Sequence, residues 1–596
     1  MNKERNIEII FQNVLNQATW KSLKTSNYQR AIPFTPQDFS LGAILPAIIY
    51  MFRWGKKRGI GKFKKKFNNN NNPSIDVVSS ILSKSNYFSN FNDKEKLSIL
   101  GDLLLTFNLE NKKHSEGRVE EVQRIYPTHY MSSWIDLPDK IGNLRGIPEL
   151  IFTILYDQKE GTTILRDKHS KLFFKIGAEF NSTSFLSAFS KGMKLQGDEN
   201  SFTSDLFDEG TDSIGIHELL AIRIAGVCES PPASEVNNNK TNNISNIKPI
   251  TIKANKIFRE DIYHFVKAYS KKIPSQSFIK MIESCISLNL SNIIILTIKH
   301  INFWEINGSL PNNDVKNFKP SPIFVDLSMG LDNEIRIKSE ESMLSIHKMI
   351  NQFGENLMIL RILDVYSKRE DEYRRDLRAL EENPIGIDLI NYLGDIYVDI
   401  DKKHKEFHRI IKRIVNEIRE NLEENDETVD YLNLLTEFEN DNSIKTLAKL
   451  LSKFMGTKSL YTKYIAFLNS CLLINEPNGF AKKRRVSRTD AYGKEKKIEV
   501  SSFTLSDVFL DFLVHRYLVS EKADTIIYLT LNQFIEKLKE NYNIYINESP
   551  EGMNINGEIL IRNKEYLEKR LRDLGLLTGV NDADEMKELK NRFQVN

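Results

Sequence analysis

Four spacings in this chain could do chemistry, and each lacks a part. Gly55, Gly59, Gly61 and Lys62 form a glycine-rich basic stretch. A phosphate-cradling loop needs four residues between its first glycine and the Gly-Lys pair, then a Ser or Thr for magnesium. Gly55 and Gly61 enclose five residues, and Phe63 stands where the hydroxyl should be. Gly456-Thr457-Lys458-Ser459 has the right ending without an upstream glycine at the required offset. His404 and His408, one helical turn apart, would put two imidazoles on one helix face, as zinc requires. Lys405 follows the first histidine where a zinc protease places its general base, Glu406 projects elsewhere on the helix, and Asp399 and Asp401 are near in sequence without making an evident third ligand. Asp326 follows the strand-like run Ile323 to Val325 and precedes Glu334-Ile335-Arg336-Ile337-Lys338. A metal-dependent nuclease places one acid on a strand and Glu/Asp-x-Lys on the next, so that carboxylates hold magnesium and lysine polarises the attack. Here Arg336 takes the lysine position, Lys338 is displaced by two, and alternating Ile and charge equally suits an exposed strand. Cys228, Cys285 and Cys471, far apart, make neither a disulfide scaffold nor a CxxC zinc site and fit a reducing compartment. No catalytic residue, metal ligand or cofactor is assigned, and no enzymatic activity is expected.

Charge is more informative. The formal net charge over 596 residues is only +3. Arg53 to Lys66 holds eight basic residues and no acid (Arg53, Lys56, Lys57, Arg58, Lys62, Lys64, Lys65, Lys66). Lys482 to Lys497 holds eight, among them Lys482, Lys483, Arg484, Arg485 and Arg488, against Asp490 and Glu495. The remainder of the chain is therefore acidic. Two basic patches on an acidic body suit a polyanion, which the body would repel elsewhere and so help to orient. Trp54, Phe63 and Phe67 beside the first patch could stack on bases or bury in the core. Solvated loops without a ligand are the plain alternative for both patches.

The elements that must position these groups are mostly helical. Apolar residues recur at helical spacing over Ser79 to Asn90, Asp93 to Phe107, Ile147 to Leu155 and Gly215 to Val227. Thr162 to Lys175 reads as a hairpin turned at Asp167 to Ser170. Phe265 and Tyr269, then Phe278 and Ile282, belong to successive helices. Ser339 to Arg375 makes one long helix or two, interrupted only by Gly354, and Asp401 to Leu422 is amphipathic. Phe39 to Phe52, with Pro46, is too short to span a bilayer and reads as core helix. The start, MNKERNIEII, carries no signal-peptide apolar region, so a cytoplasmic protein away from membranes is expected. Asparagine runs at Asn68 to Asn72 and Asn237 to Asn246, and the turn signal Asn475 to Gly479, divide the chain. The expected units are a mostly helical 1–235, an Asn-rich linker 236–250, an all-α 251–475, a basic loop 476–500 and a C-terminal domain 501–596.

That C-terminal unit reads as helix over Leu505 to Val519, helix over Leu531 to Tyr542 capped by Thr530, and helix from Asn563 to Leu574 stopped by Gly575. The segments Leu576 to Val580 and Glu585 to Val595 then flank a turn-rich stretch. Three helices and a strand pair resemble a winged helix-turn-helix domain. Tyr566-Leu567-Glu568-Lys569-Arg570-Leu571-Arg572-Asp573-Leu574-Gly575-Leu576-Leu577 resembles its recognition helix running into the wing. The insert Asn543 to Leu560 departs from that pattern. About 100° per residue turns Leu567, Leu571 and Leu574 inward and Arg562, Lys569 and Arg572 outward, with Glu565 and Glu568 also exposed. Winged helices dock either nucleic acid or protein, and both readings stay open.

Two further segments are similar to parts of accessory proteins from bacterial anti-phage defence gene clusters: Trp134 to Pro138 with Leu144 to Glu149, and Glu355 to Asp364. The resemblance implies a cytoplasmic protein working beside the products of neighbouring genes. The whole reading is a mainly α, multidomain protein with a C-terminal winged helix. It would be a non-enzymatic subunit that binds nucleic acid, DNA first, together with other protein subunits. The alternatives are a protein-docking adaptor and a divergent metal-dependent nuclease.

Overall fold

In the computed structural model the residues described are 2–25, 32, 34–54, 67, 73–111, 121–134, 144, 146–156, 164–166, 172–174, 184–194, 206–207, 214–228, 249–311, 320–382, 386–399, 404–422, 429–437, 443–489, 495–520, 522, 525–579 and 587–593. Among them the chain is mainly helical, and its strands pair only two at a time.

The N-terminal third starts with α1 (Asn2–Leu15) and α2 (Gln17–Thr25), whose Phe11 and Trp20 stack and meet Phe454 far along the chain. The expected core helix is α3 (Ile44–Trp54). Pro46 lies in its first turn, where a missing N–H breaks no helical bond, and Ile44, Leu45, Ile48, Ile49 and Phe52 are fully buried. Helices α4 (Ile75–Ser83) and α5 (Lys94–Phe107) are capped by Ser74 and Asp93, which accept from Val77 N and Lys96 N. A short pair, β1 (Leu109–Asn111) and β2 (Val122–Ile125), leads to α6 (Ile147–Tyr156). Strands β3 (Ile164–Arg166) and β4 (Leu172–Phe174) form the expected hairpin, with Ile164 opposite Phe174. Helix α7 (Ser184–Ala188), strands β5 (Met193–Lys194) and β6 (Leu206–Phe207), and α8 (Ile216–Cys228) complete this part.

The centre is α9 (Ile252–Tyr269) and α10 (Ser275–Asn307). Helix α10 has no charged residue between Glu283 and Lys299. It is the one described helix long and apolar enough to cross a membrane, but its apolar window is wholly enclosed by protein, as a helix apolar on all sides should be. After β7 (Ile323–Phe324), Asp332 caps α11 (Asn333–Ser367) by accepting from Glu334 N and Ile335 N. That helix runs straight through Gly354, where a Cβ would crowd the Tyr464 ring at 3.0 Å. Six helices follow: α12 (Asp371–Glu382), α13 (Gly386–Val398), α14 (Lys405–Asn421), α15 (Val429–Glu437), α16 (Ser443–Phe454) and α17 (Thr457–Cys471).

Three local expectations need correction. The basic segment expected as a loop at 476–500 is largely a nine-residue antiparallel ladder of β8 (Ala481–Thr489) and β9 (Glu495–Phe503). Glu334 to Lys338, read as a strand in the nuclease alternative, forms the first turns of α11, where the Asp332 cap outweighs the alternation of Ile and charge. The third C-terminal helix does not begin at Asn563. After α18 (Asp507–Tyr517) and α19 (Leu531–Tyr542, with a Thr530/Gln533 capping box) comes α20 (Gly557–Asp573), capped by Asn556. Asn563 is fully buried inside it. A short antiparallel pair, β11 (Leu577–Thr578) and β12 (Glu588–Leu589), ends the chain, so three helices and a strand pair do occur in the expected order.

This C-terminal part is built into the body. Strand β10 (Ile544–Tyr545) pairs in parallel with β7. Phe512 meets Phe265 edge-on, and Tyr269 Oη donates to the His515 carbonyl. One apolar core extends from Ile7 to Leu589.

Candidate nucleic-acid interface

The β8–β9 hairpin sorts the basic residues onto two faces, because directly paired residues of a ladder lie on the same side. Lys482, Arg484, Val486 and Arg488 stand opposite Ser502, Val500, Ile498 and Lys496. This inner face turns to α11 and the loop before it. Arg488 donates from Nη2 to Glu340 Oε2 at 2.6 Å, and Glu340 also binds Arg336 at 2.7 Å. Arg484 donates to the Met329 carbonyl and lies 3.9 Å from Asp326 Oδ2. Its guanidinium crosses Gly330, which has φ +85° and where a Cβ would stand 2.3 Å from Arg484 Cζ. The positive φ favours glycine there, and a side chain would push the Arg484 guanidinium aside.

The outer face carries Lys483, Arg485, Ser487 and Lys497, opposite or beside Glu499 and Ser501. Arg485 is 77% exposed. Lys483 Nζ is 2.5 Å and Arg485 Nε 3.4 Å from the two Glu499 oxygens. The Lys483 hydrogen bond and charge hold the Glu499 carboxyl below the usual carboxylate range. Glu495, opposite Thr489, is exposed on the same face, so the outer face presents three cations damped by two glutamates.

On the third C-terminal helix the helical-wheel argument omitted a residue that turns toward the start of α18. Arg570 of α20, largely buried, donates from Nη2 to Asp507 Oδ1 at 2.5 Å. Lys482 lies within electrostatic range of Arg570, Arg484, Asp507 and Asp326. Burial, then the two arginines, lower its affinity for a proton, and the two aspartates oppose this. Arg570 had a legible signal, since it sits in Lys569-Arg570-Leu571-Arg572. Its neighbourhood to Leu567 and Leu571 pointed it toward the body, and nothing local shows Asp507 waiting there.

The three residues expected to face DNA from α20 divide. Arg562 is held by Asp332 Oδ2 at 2.9 Å and by Glu334, and both partners raise its affinity for a proton. Arg572 lies 3.8 Å from Glu568. Lys569 is exposed. Of the first basic segment, only the backbone of Arg53 and Trp54 at the end of α3 is described. Lys56, Lys57, Arg58, Lys62, Lys64, Lys65 and Lys66 lie outside the described residues.

The nuclease and zinc spacings do not assemble. Asp326 is fully buried and accepts from Ser328 Oγ at 2.5 Å, and burial pushes its carboxyl above the usual range. Glu334 is engaged by Arg562, and Lys338 pairs with Glu341 at 3.0 Å. His404 Nδ1 is 2.6 Å from Tyr373 Oη, and His408 Nδ1 is 3.1 Å from Ser443 Oγ. Among the described residues, no three His, Cys, Asp or Glu converge as a metal site.

Comparison with protein families decides the relationship that local motifs leave open. A family model described as methylation-associated defense system protein MAD7 matches residues 38–593, nearly the whole chain. The chain belongs to this family. No curated protein and no solved structure gave a match. Membership gives the protein a role in a methylation-associated defence system and agrees with the resemblance to defence-cluster accessory proteins. One carrier of that resemblance, Glu355 to Asp364, lies in the middle of α11, where Leu357, Met358, Ile359, Leu360, Ile362 and Leu363 are all buried.

Proposed function

We propose that this protein is a non-enzymatic, nucleic-acid-binding subunit of its defence system, with double-stranded DNA as its first ligand and other subunits of the system as protein partners. The observation that carries the reading is the outer face of the β8–β9 hairpin. Lys483, Arg485 and Lys497 line a projecting ladder whose inner face is fixed to α11 by Arg484 and Arg488. A rigid cationic ribbon contacts phosphates, which position a protein on a duplex without reading bases. We also assign the three helices and strand pair after residue 506 to a winged-helix-like arrangement, with α20 as its third helix. The reading keeps the protein cytoplasmic and without a cofactor.

The experiment is duplex binding by fluorescence anisotropy across a salt series. Each phosphate contact contributes about 0.9 to the slope of log affinity against log salt. Replacing Lys483, Arg485 and Lys497 together by Ala should lower the slope by roughly two to three and weaken all sequences alike. Glu499→Gln, which removes one competing carboxylate, should tighten binding. A wild-type protein that shows no salt-dependent binding to any duplex overturns the reading.

One observation favours the protein-docking alternative as second choice. Arg562 is neutralised by Asp332 and Glu334, and the neighbours of those residues, Leu331 and Ile561, are 81% and 61% exposed. A mixed charged and apolar surface of this kind suits a protein better than a polyanion.

A further inference from the structure

Leu331 is an exposed apolar side chain, yet the turn that carries it is firmly held. Ser328 Oγ accepts from Gly330 N at 3.2 Å and from Asp332 N at 3.0 Å, and the Ser328 carbonyl accepts from Leu331 N at 3.2 Å. Leu327 N donates to Asn563 Oδ1 at 3.0 Å, and Arg484 donates to the Met329 carbonyl. Met329 and Gly330 are both left-handed, with φ +56° and +85°. A non-glycine residue is seldom found there, and such conformations persist where their surroundings over-determine them, often at binding sites. A turn this constrained keeps the leucine from folding back on the body. A second exposed apolar side chain, Ile561 of α20, stands beside it. Its neighbour Arg562 holds Asp332, the residue after Leu331, at 2.9 Å and also binds Glu334, so the two apolar residues flank one cluster of ion pairs. Carboxylates surround them. Glu558 and Glu565, three before and four after Ile561, share its side of the helix and are exposed, as is Glu334. Asp332, Glu334, Glu558 and Glu565 against Arg562 leave three uncompensated negative charges.

We propose that Leu331 and Ile561 are the anchors on which another subunit docks, and that this partner presents an apolar pocket rimmed by lysine and arginine. The charge selects it, because this face repels phosphates and acidic proteins alike. Carboxylates around an apolar centre match a basic rim, which speeds encounter and fixes the register, while the desolvated anchors supply the affinity. The inference rests on the reading of the chain as one subunit of a larger assembly and stands apart from its binding of a duplex.

The test passes each purified product of the neighbouring defence genes over the immobilised full-length protein and follows binding by surface plasmon resonance across a salt series. A product with a basic surface should bind. Leu331→Asp and Ile561→Asp should each weaken it by about thirtyfold, the loss typical of a buried anchor, mostly through faster dissociation. Glu334→Gln combined with Glu565→Gln should slow association and flatten its salt dependence. These side chains face solvent, so the unfolding midpoints of the variants should stay at the wild-type value; Leu331→Ser and Ile561→Ser carry the test where an aspartate variant fails to fold. No binding by any neighbouring product, or binding that both anchor variants retain, overturns the proposal. A wild-type dimer in sedimentation that Leu331→Asp dissociates would give the face to a second copy of the chain and overturn it too. Anisotropy with duplex DNA separates the docking from the nucleic-acid reading. Both anchor variants should keep wild-type duplex affinity, and its loss would assign the face to DNA instead. A wild type that binds the subunit but no duplex sinks only the nucleic-acid reading and leaves the docking in place.

Discussion

His129 has less latitude than any other titratable side chain described here. It is fully buried, its Nδ1 accepts from the Met131 N–H at 3.2 Å, and its Nε2 lies 3.1 Å from the Lys191 carbonyl. That pair of partners fixes the neutral tautomer with the proton on Nε2. Burial pushes its pKa down to about 3, against an ordinary 6.5. The unfolded chain therefore takes up a proton near pH 6.5 and the native chain does not, so stability is present above 6.5 and is lost as pH falls toward 3. At about pH 5 the loss is on the order of 2 kcal/mol for this one ring. The midpoint of thermal unfolding should drop between about pH 7 and pH 5, and less steeply in His129→Gln. Equal steepness in both proteins would show that the ring is solvated. Nothing around His129 in the sequence announces this, because Lys191 arrives from 62 residues away. Asn563 teaches the same lesson. Its type suggested a cap, but its side-chain amide donates to the Val325 and Ile546 carbonyls and its oxygen accepts from Leu327 N. Residue type limits what a side chain can do, while the partner that decides among the options lies on another element.

Helices were the most legible elements, because a 3.6-residue apolar period is a local signal. The spans over 93–107, 147–155, 215–227 and 531–542 appear within a residue or two of their expected bounds. The β8–β9 hairpin was hidden by its own charge. Its inner apolar residues are only Val486, Ile498 and Val500, and apart from Ser502 its remaining positions on that face are basic. They stay inward because Glu340 and Asp326 wait on other elements. At α20, by contrast, the inward face was read correctly. Leu567 and Leu571 are fully buried, and Leu574 partly so. Leu571→Ala should cost about 2–5 kcal/mol, the range for a buried leucine that leaves a cavity. Asn563→Ala, which strands three buried backbone groups, should cost on the order of 3 kcal/mol. Chemical denaturation checks both. A loss under about 1 kcal/mol in either would mean that α20 is loosely seated on the body.

At the scale of the molecule, Asp261 ties separate stretches of sequence to one point. Its carboxylate is 1% exposed on α9 and receives Arg516 Nε from α18 at 2.9 Å, Asn289 Nδ2 from α10 at 2.9 Å and Tyr542 Oη from α19 at 2.6 Å. Composition breaks and turn signals placed boundaries near 250, 475 and 500, and this knot, with the Phe265–Phe512 contact and the β7–β10 pairing, crosses the last two. Such crossings are invisible to any reading along the chain, since 255 residues separate Asp261 from Arg516. They also matter for function. The hairpin is anchored on α11, so it and α20 keep a fixed relation only if the C-terminal helices are held to the body that carries Asp326 and α11. Removing one partner of a buried ion pair leaves an uncompensated charge, which typically costs 3–5 kcal/mol. Asp261→Ala strands Arg516 and should therefore lower the unfolding midpoint of the whole chain. The sharper expectation concerns cooperativity. Trp304 in the body and a fluorophore placed on the exposed Lys569 of α20 should report the same midpoint in the wild type and the same shift in the variant. If the α20 probe melts first while Trp304 holds, the C-terminal helices are an autonomous domain resting on the body, and the Asp261 knot does not couple them.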